Sequence, residues 1–391
     1  MPHHGDFQLE IYLDGLAGKY PAFPVSAEAL ETAARQVMSP EAYSYVAGSA
    51  GAEATARANR QAFDRYEIVP RMLRGIAQRD LTSEVCGTEL AAPVMLAPIG
   101  AAGMIHPDGE LGAARAAADV GVPMVLSTVS NTTLEEVAAA LAKPAGQAGR
   151  PGTGWFQLYW PRDQQVAASL VGRAAAAGYR AIVVTVDTWA LAWRPRDLGH
   201  AFLPFLRGLG VANYFSDPAF RAGLARPPEE DQAAAVIHWA QMFGNPTLTW
   251  SDLAWLRERT SLPILVKGIC HPDDARAARD AGVDGIVVSN HGGRQIDGAR
   301  PALDCLPDVV AACPALPVLF DSGIRSGSDI LKAVALGARA VLVGRPWVYG
   351  LALGGAEGVR HVLRCLLAEL DLTMALSGHA TLSSVGPDLF G

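Results

Sequence analysis

The sequence predicts a closed parallel (β/α)₈ barrel, and three observations carry that prediction. Short apolar or β-branched runs alternate with Ala-rich amphipathic segments from about residue 93 onward. The runs number eight, and each reads as nearly continuous in hydrophobicity, as a sheet buried on both faces requires. Polar residues stand at the C-terminal ends of those runs, where barrels of this kind keep their chemistry. A doubly wound open sheet is the competing architecture.

In chain order, helical spacing appears first over Ser26 to Met38, Pro40 to Ala47 and Glu53 to Phe63, as segments that either cover the bottom of the barrel or flank its rim. The eight strands are Pro93 to Ile99, Val122 to Thr128, Trp155 to Trp160, Ala181 to Asp187, Leu262 to Ile269, Gly285 to His291, Leu316 to Gly323 and Ala340 to Arg345. Between them, Glu110 to Val120, Thr133 to Leu141, Gln164 to Ala177, Pro272 to Ala281 and Gly327 to Leu336 carry helical spacing of Ala, Leu and Val. Several of these end in Gly, which favours helix termination. The expected organisation is one domain over 1–391, with a helical segment over 1–90 and the barrel over 91–375.

The connection after the fourth strand, 198–249, runs to about 50 residues, too long for an ordinary βα loop, and predicts a lid. Within it, Ala201 to Leu209 is apolar enough to pack over a site, whereas Arg226 to Asp231 reads as exposed and mobile.

Composition narrows the function classes. Half of the 391 residues are hydrophobic, which suits a large core rather than disorder. A formal net charge of -7 argues against a nucleic-acid binder, since phosphate neutralisation needs a surplus of Lys and Arg. Five cysteines, at 86, 270, 305, 313 and 365, form no CxxC pair and no disulfide framework, so a reducing cytoplasm is expected. No apolar run approaches the roughly 20 residues needed to cross a bilayer. Met1 to Glu10 lacks a signal pattern, and Leu389-Phe390-Gly391 is not a peroxisomal address. His3 and His4 have no third ligand nearby, so no metal site is read there.

The strand ends carry Pro98-Ile99-Gly100, Ser127-Thr128, Gln157 and Tyr159, Thr185 and Asp187, Lys267, Ser289-Asn290-His291, Asp321-Ser322-Gly323 and Gly344-Arg345. Buried strand ends do not hold so many polar groups without partners. The loops after strands seven and eight, Asp321 to Gly327 and Gly344-Arg345-Pro346, fit the phosphate site common in this fold, with Arg325 and Arg345 to supply charge. Tight turns alone are the bland reading of those glycines. Lys267, projecting from a strand end into a barrel, has to meet an anion or lose its charge.

The sharpest signal is Ser289-Asn290-His291-Gly292-Gly293-Arg294-Gln295. A strand-end histidine takes up a proton near neutral pH, and an arginine three residues on grips a carboxylate with paired hydrogen bonds. A lone histidine is usually structural, but Asp187 is available to orient this imidazole and stabilise its charged form.

On these residues, together with Ser44 to Gly48, Ala97 to Gly100, Trp155 to Tyr159, Thr185 to Thr188 and Leu265 to Gly268, the chain resembles the FMN-dependent 2-hydroxy-acid oxidases and dehydrogenases nearly end to end. The resemblance implies FMN as cofactor. It places the reactive edge of the flavin against Pro98, Ile99 and Gly100, and the ring against Ser127, Gln157, Thr185, Lys267 and Ser289. Asp321, Gly323, Arg325, Gly344 and Arg345 would hold the ribityl chain and phosphate. For a small 2-hydroxy acid it implies Tyr45, Arg194 and Arg294 at the carboxylate, Tyr159 at the hydroxyl, His291 as base and Asp187 as its support. O₂ as co-substrate and a homo-oligomer, tetramer or octamer, are further implications.

Within the family the chain is most similar to the lactate 2-monooxygenase branch, through Gly5 to Phe7, Glu10 to Tyr12, Trp193 to Asp197, Phe202 to Leu209, Ala302 to Pro307 and Gly100. If the lid closes, pyruvate and peroxide stay together and react on to acetate, carbon dioxide and water. An open lid gives a simple oxidase, and another electron acceptor a dehydrogenase. Departures at Ala101 to His106, Ala190 to Ala192 and Ile296 to Arg300 leave a larger 2-hydroxy acid open as substrate. A membrane anchor in the insertion is disfavoured by its acidic stretch, and a phosphate-binding isomerase would not need His291, Arg294 and Tyr159 together.

Overall fold

The computed structural model describes residues 3–143 and 151–391. Four helices lead: α1 (Asp6–Leu16), α2 (Ala27–Val37), α3 (Pro40–Ala47) and α4 (Ala54–Asp64). A hairpin of β1 (Ser83–Val85) and β2 (Thr88–Leu90) precedes the barrel. Then follow β3 (Val94–Leu96), α5 (Gly109–Val120), β4 (Met124–Ser127), α6 (Leu134–Ala142), β5 (Gly154–Leu158), α7 (Gln164–Ala176) and β6 (Ile182–Thr185). The long connection contains α8 (Pro195–Gly199), α9 (Ala212–Phe215), α10 (Pro218–Ala222) and α11 (Gln232–Met242), with α12 (Asp252–Arg257) leading into β7 (Ile264–Ile269). The chain closes with α13 (Pro272–Asp280), β8 (Gly285–Val288), α14 (Ala302–Ala312), β9 (Val318–Phe320), α15 (Gly327–Ala335), β10 (Ala340–Val343) and α16 (Arg345–Leu376).

Strands β3 to β10 form a closed, all-parallel barrel in sequence order, with β10 pairing β3. All eight expected strands are present, but most stop short of their expected ends. Pairing ceases at Val288, Phe320 and Val343, so Ser289 to His291 and Asp321 to Gly323 lie in loops, and Arg345 opens a helix rather than closing a strand. The reason is local: His291 and Ser322 hold positive φ, +58° and +86°, which no strand accommodates.

The pleat sorts the interior into two tiers. Met95, Val125, Trp155, Val183, Leu265, Val287, Leu319 and Leu342, one from each strand, meet in a single buried apolar cluster. Val85 and Leu90 of the hairpin join that cluster, and Thr88 Oγ1 accepts from Trp155 Nε1 at 3.0 Å, which plugs the N-terminal end. Side chains two residues further along a strand face the same way. Two residues on from this layer stand Ala97, Ser127, Gln157, Thr185, Lys267, Ser289, Asp321 and Gly344, a predominantly polar tier at the C-terminal mouth.

Helix starts follow the sequence. Thr133 with Glu136, and Ser326 with Asp329, form capping boxes, while Asp163 and Asp231 accept amides at the starts of α7 and α11. Glu53 turns out to be the cap of α4, at φ +61°, rather than its first residue.

The connection after β6 is fastened to the barrel. Asn213, fully buried, accepts from Leu134 N at 2.7 Å and donates Nδ2 to Thr128 O and Ser130 Oγ, each at 3.0 Å. Asp217, equally buried, pairs with Arg173 of α7 at 3.0 Å. The 226–231 stretch is largely exposed, as expected, yet it is tied rather than free: Glu229 pairs with Arg221, Pro228 is buried and Asp231 caps α11. No helix among the described residues is long and apolar enough to cross a membrane.

Candidate active site

The C-terminal mouth opens into a cavity of about 1010 Å³, its open end included. Of the side chains singled out from the sequence, Tyr45, Tyr159, Arg194, Lys267, His291, Arg294, Asp321, Arg325 and Arg345 line it, with the backbone of Pro98, Ile99, Gly100, Gly323 and Gly344. Ser127, Gln157, Thr185, Ser289 and Asp187 do not line it; they form the supporting layer.

That layer is a hydrogen-bonded ring segment. Gln157 Oε1 accepts from Ser127 Oγ at 3.2 Å, and its Nε2 donates to Thr185 Oγ1 at 2.9 Å. Lys267 Nζ lies 3.0 Å from Asp321 Oδ2 and donates to Ser289 Oγ at 3.0 Å. Burial opposes the lysine charge, but the carboxylates of Asp321 and Asp187 hold its pKa above the ordinary lysine value. Ser289 Oγ also accepts from His291 N at 3.0 Å, so the lysine and the histidine loop share one hydroxyl.

His291 Nδ1 meets Asp187 Oδ1 at 2.8 Å. Burial would raise the Asp187 carboxyl, yet the adjacent imidazole and Lys267 bring it down to about 2. Burial lowers the His291 pKa below 6.5 despite the attraction of Asp187. The pair therefore rests as an aspartate beside a neutral imidazole whose Nε2 is left free for the cavity. Gly268, at φ +114°, is required here: a Cβ would stand 2.7 Å from Asp187 Cβ.

Opposite lie two arginines. Arg294 Nη1 donates to the carbonyls of Tyr45 and Gly48, with its guanidinium 5.0 Å from the Tyr45 ring centre. Arg194 Nε donates to Arg294 O at 3.0 Å and Nη2 to Gln295 Oε1 at 2.6 Å, while burial and the neighbouring Arg294 cation bring its pKa down to about 10. Neither arginine has an ion-paired carboxylate within 4.0 Å among the described residues, so both present charge to an incoming anion. Tyr159, packed edge-on against Phe243 at 5.4 Å, has its phenol pushed up to about 12 by burial.

At the other end, Arg325 and Arg345 are half-buried cations with no paired carboxylate among the described residues, and desolvation lowers the pKa of both, that of Arg345 to about 10. Arg345 spends donors on the carbonyls of Val46, Gly48 and Gly292, whereas Arg325 contacts only Ile324 O. The Tyr349 hydroxyl, whose pKa both arginines influence, is buried without a partner. Uncompensated cations and an orphaned hydroxyl at one end, and a buried lysine under the middle, fit an elongated cofactor with an anionic tail.

Several participants escaped the sequence reading. Thr188 Oγ1 donates to Asp187 Oδ1 at 2.9 Å, and Ser322 Oγ accepts from Gly292 N at 2.9 Å, fixing the two loops that carry the base. Gln295 Nε2 donates to Asp187 O at 2.6 Å. Val129 and Phe243 are also among those missed; with Leu191, from the 190–192 departure that left the side-chain pocket open, and Phe205 they form an apolar wall and roof. Thr188, Ser322 and Gln295 stood inside quoted motifs; only the distances assign them partners. Phe205 fulfils the expectation for 201–209: its ring is 6.3 Å from that of Tyr45 and 5.3 Å from Trp239.

The chain is similar to known proteins along nearly its whole length. The profile of the FMN-dependent dehydrogenase family matches residues 34–391. An FMN-dependent α-hydroxy acid dehydrogenase of Penicillium citrinum is 44% identical over 98% of this chain and 95% of its own length. An L-lactate oxidase of Lysinibacillus sphaericus is 42% identical over 96% of this chain and 95% of its own, and a 4-hydroxymandelate oxidase of Amycolatopsis orientalis 44% over 90% and 94%. A crystal structure of mandelate oxidase with (S)-4-hydroxymandelic acid superposes with a TM-score of 0.81 at 43% identity, covering 93% of this chain and 97% of that one.

Proposed function

Because this chain belongs to the FMN-dependent dehydrogenase family, we propose that it oxidises a small L-2-hydroxy acid, first of all L-lactate, and with O₂ carries the product on to acetate, carbon dioxide and water. FMN is the cofactor, and FMN-dependent 2-hydroxy-acid oxidation is the activity shared by its relatives. The observation that carries the substrate reading is the Asp187–His291 pair facing two unpaired arginines in one cavity.

When bound, FMN supplies a two-electron acceptor. Arg325, Arg345, Gly323 and Gly344 would hold its phosphate end, and Lys267, Ser127, Gln157, Thr185 and Ser289 its ring, with Pro98 to Gly100 along one edge. Arg294, Arg194 and Tyr45 would bind the substrate carboxylate. Two cations with spare N–H groups suit a carboxylate better than a neutral ligand. Tyr159 would donate to the 2-hydroxyl, and its high pKa keeps it a donor across the working range. His291 would take the substrate proton at Nε2, the nitrogen that Asp187 leaves free, and Asp187 would stabilise the imidazolium so formed.

The coupled outcome is supported by the roof. Phe205, Phe243 and Trp239 stack over the cavity on a connection bolted through Asn213 and Asp217, an arrangement suited to keeping the first products together. A second reading, an aryl 2-hydroxy acid as substrate, is favoured by the apolar wall of Val129, Leu191, Phe205 and Phe243 and by the relative named 4-hydroxymandelate oxidase.

Aerobic incubation of the FMN-loaded enzyme with L-lactate, quantifying acetate, pyruvate and peroxide, tests the proposal. Acetate without free peroxide supports it. Pyruvate with equimolar peroxide overturns the coupled outcome in favour of a simple oxidase, and turnover of mandelate but not lactate selects the second reading.

A further inference from the structure

Glu110, the second residue of α5, is 1% exposed, and its carboxylate is ion-paired with no Lys or Arg among the described residues. A buried carboxylate without a cation is costly, and it persists only where hydrogen bonds to its charged form are fixed by the surroundings. Here Oε1 accepts from Ala102 N and Asn131 N, each at 3.0 Å, and Oε2 from Thr132 Oγ1 at 3.3 Å. The carboxylate therefore bridges two loops, the one after β3 and the one after β4. Gly103 N to Asn131 Oδ1, at 3.1 Å, and Ala101 N to Val129 O, at 2.8 Å, run between the same loops. Ala101 itself is held at φ +54°, a conformation that needs outside support.

These loops bring Gly100 and Val129 face to face. A Cβ on Gly100 would stand 2.8 Å from Val129 Cγ2, and both residues line the cavity. Neither is hydrogen-bonded by Glu110, which acts from behind through Ala102, two positions past Gly100, and through Asn131 and Thr132, two and three past Val129.

We propose that Glu110 is a positioning residue that fixes the Gly100–Val129 wall and thereby sets which 2-hydroxy-acid side chain the cavity admits. The inference rests on the reading of this cavity as a 2-hydroxy-acid site. A glutamine can keep its oxygen on the two amides and turn its NH₂ to the Thr132 hydroxyl, so shape, rather than charge, is what the wall requires. Alanine removes the bridge.

The test uses FMN-loaded wild type, Glu110→Gln and Glu110→Ala, and reads dissociation constants for pyruvate and 2-oxopentanoate from the flavin absorbance. In Glu110→Ala the ratio of the two constants shifts by about 10-fold, whereas Glu110→Gln stays within about 2-fold of wild type, the span expected for losing or keeping a buried hydrogen-bonded clamp. Asn131→Ala, which removes the parallel tie to Gly103, shifts the ratio in the same direction and serves if Glu110→Ala does not fold. An unchanged ratio in the alanine variants, with both constants rising together, overturns the inference and leaves the proposed function standing. No spectral response of the wild type to any 2-oxo acid overturns both.

Discussion

The two tiers of the barrel interior are one pleat apart on the same strands and differ in nearly everything else. The lower tier, from Met95 to Leu342, is apolar and closed by the hairpin, while the upper tier holds a lysine, a carboxylate, a glutamine and hydroxyls in mutual contact. The difference teaches that a barrel separates stability from chemistry by a step of two residues: packing is satisfied below, so polar groups above are free to point at a ligand.

If the tiers are separable in this way, changes above should alter chemistry and changes below should alter stability. The largest effect is expected just above the upper tier. His291→Ala should lower kcat by about 10²–10⁴-fold, the usual worth of a positioned base, with flavin content unchanged, as steady-state kinetics and the flavin-to-protein absorbance ratio will show. Within the tier, Lys267→Met strands the Asp321 carboxylate beside an apolar chain. It should release FMN, read from the flavin-to-protein absorbance ratio; a fully flavinated variant would erase the distinction between the tiers.

One pleat down, Leu265→Ala should cost about 2–5 kcal/mol in unfolding while leaving the KM for substrate within experimental error. In the connection over the mouth, Asn213→Ala leaves a buried amide and carbonyl without partners and should cost about 1–3 kcal/mol; free peroxide appearing during turnover would show that the bolt also serves the roof.

The smallest effect concerns pH. The His291 pKa is lowered, so the neutral base is present above that value and is lost as pH falls through it. The acid limb of kcat/KM should accordingly fall below 6.5. Since the Asp187 anion raises the His291 pKa, Asp187→Asn should move the limb to still lower pH while reducing the rate. A limb that moves upward would contradict the assignment of His291 as the titrating base.

The upper tier was legible in the sequence because period-two alternation is strict: once the apolar strand residues are placed, Gln157, Thr185 and Lys267 follow by counting. The phosphate-end arginines were legible as charges beside glycines, but not that Arg345 spends its donors on Val46 and Gly48, since that depends on where α3 ends. The strand ends were overestimated because hydrophobicity continues past the last ladder bond, while the turn at His291 is set by hydrogen bonds to Ser289 and Ser322. The hairpin escaped notice because its strands are three residues each, whereas α1 was missed although Leu9, Tyr12, Leu13 and Leu16, all exposed in the fold, stand at helical spacing. In 198–249 only the apolar 201–209 segment announced its role; Asn213 and Asp217 look like surface polar residues until Thr128 and Arg173 are found against them.

Because Val85 and Leu90 stopper one end, the barrel interior is open to ligands from its C-terminal side. A hairpin of two three-residue strands, at the end of the molecule remote from the chemistry, thereby decides the side from which that chemistry is approached.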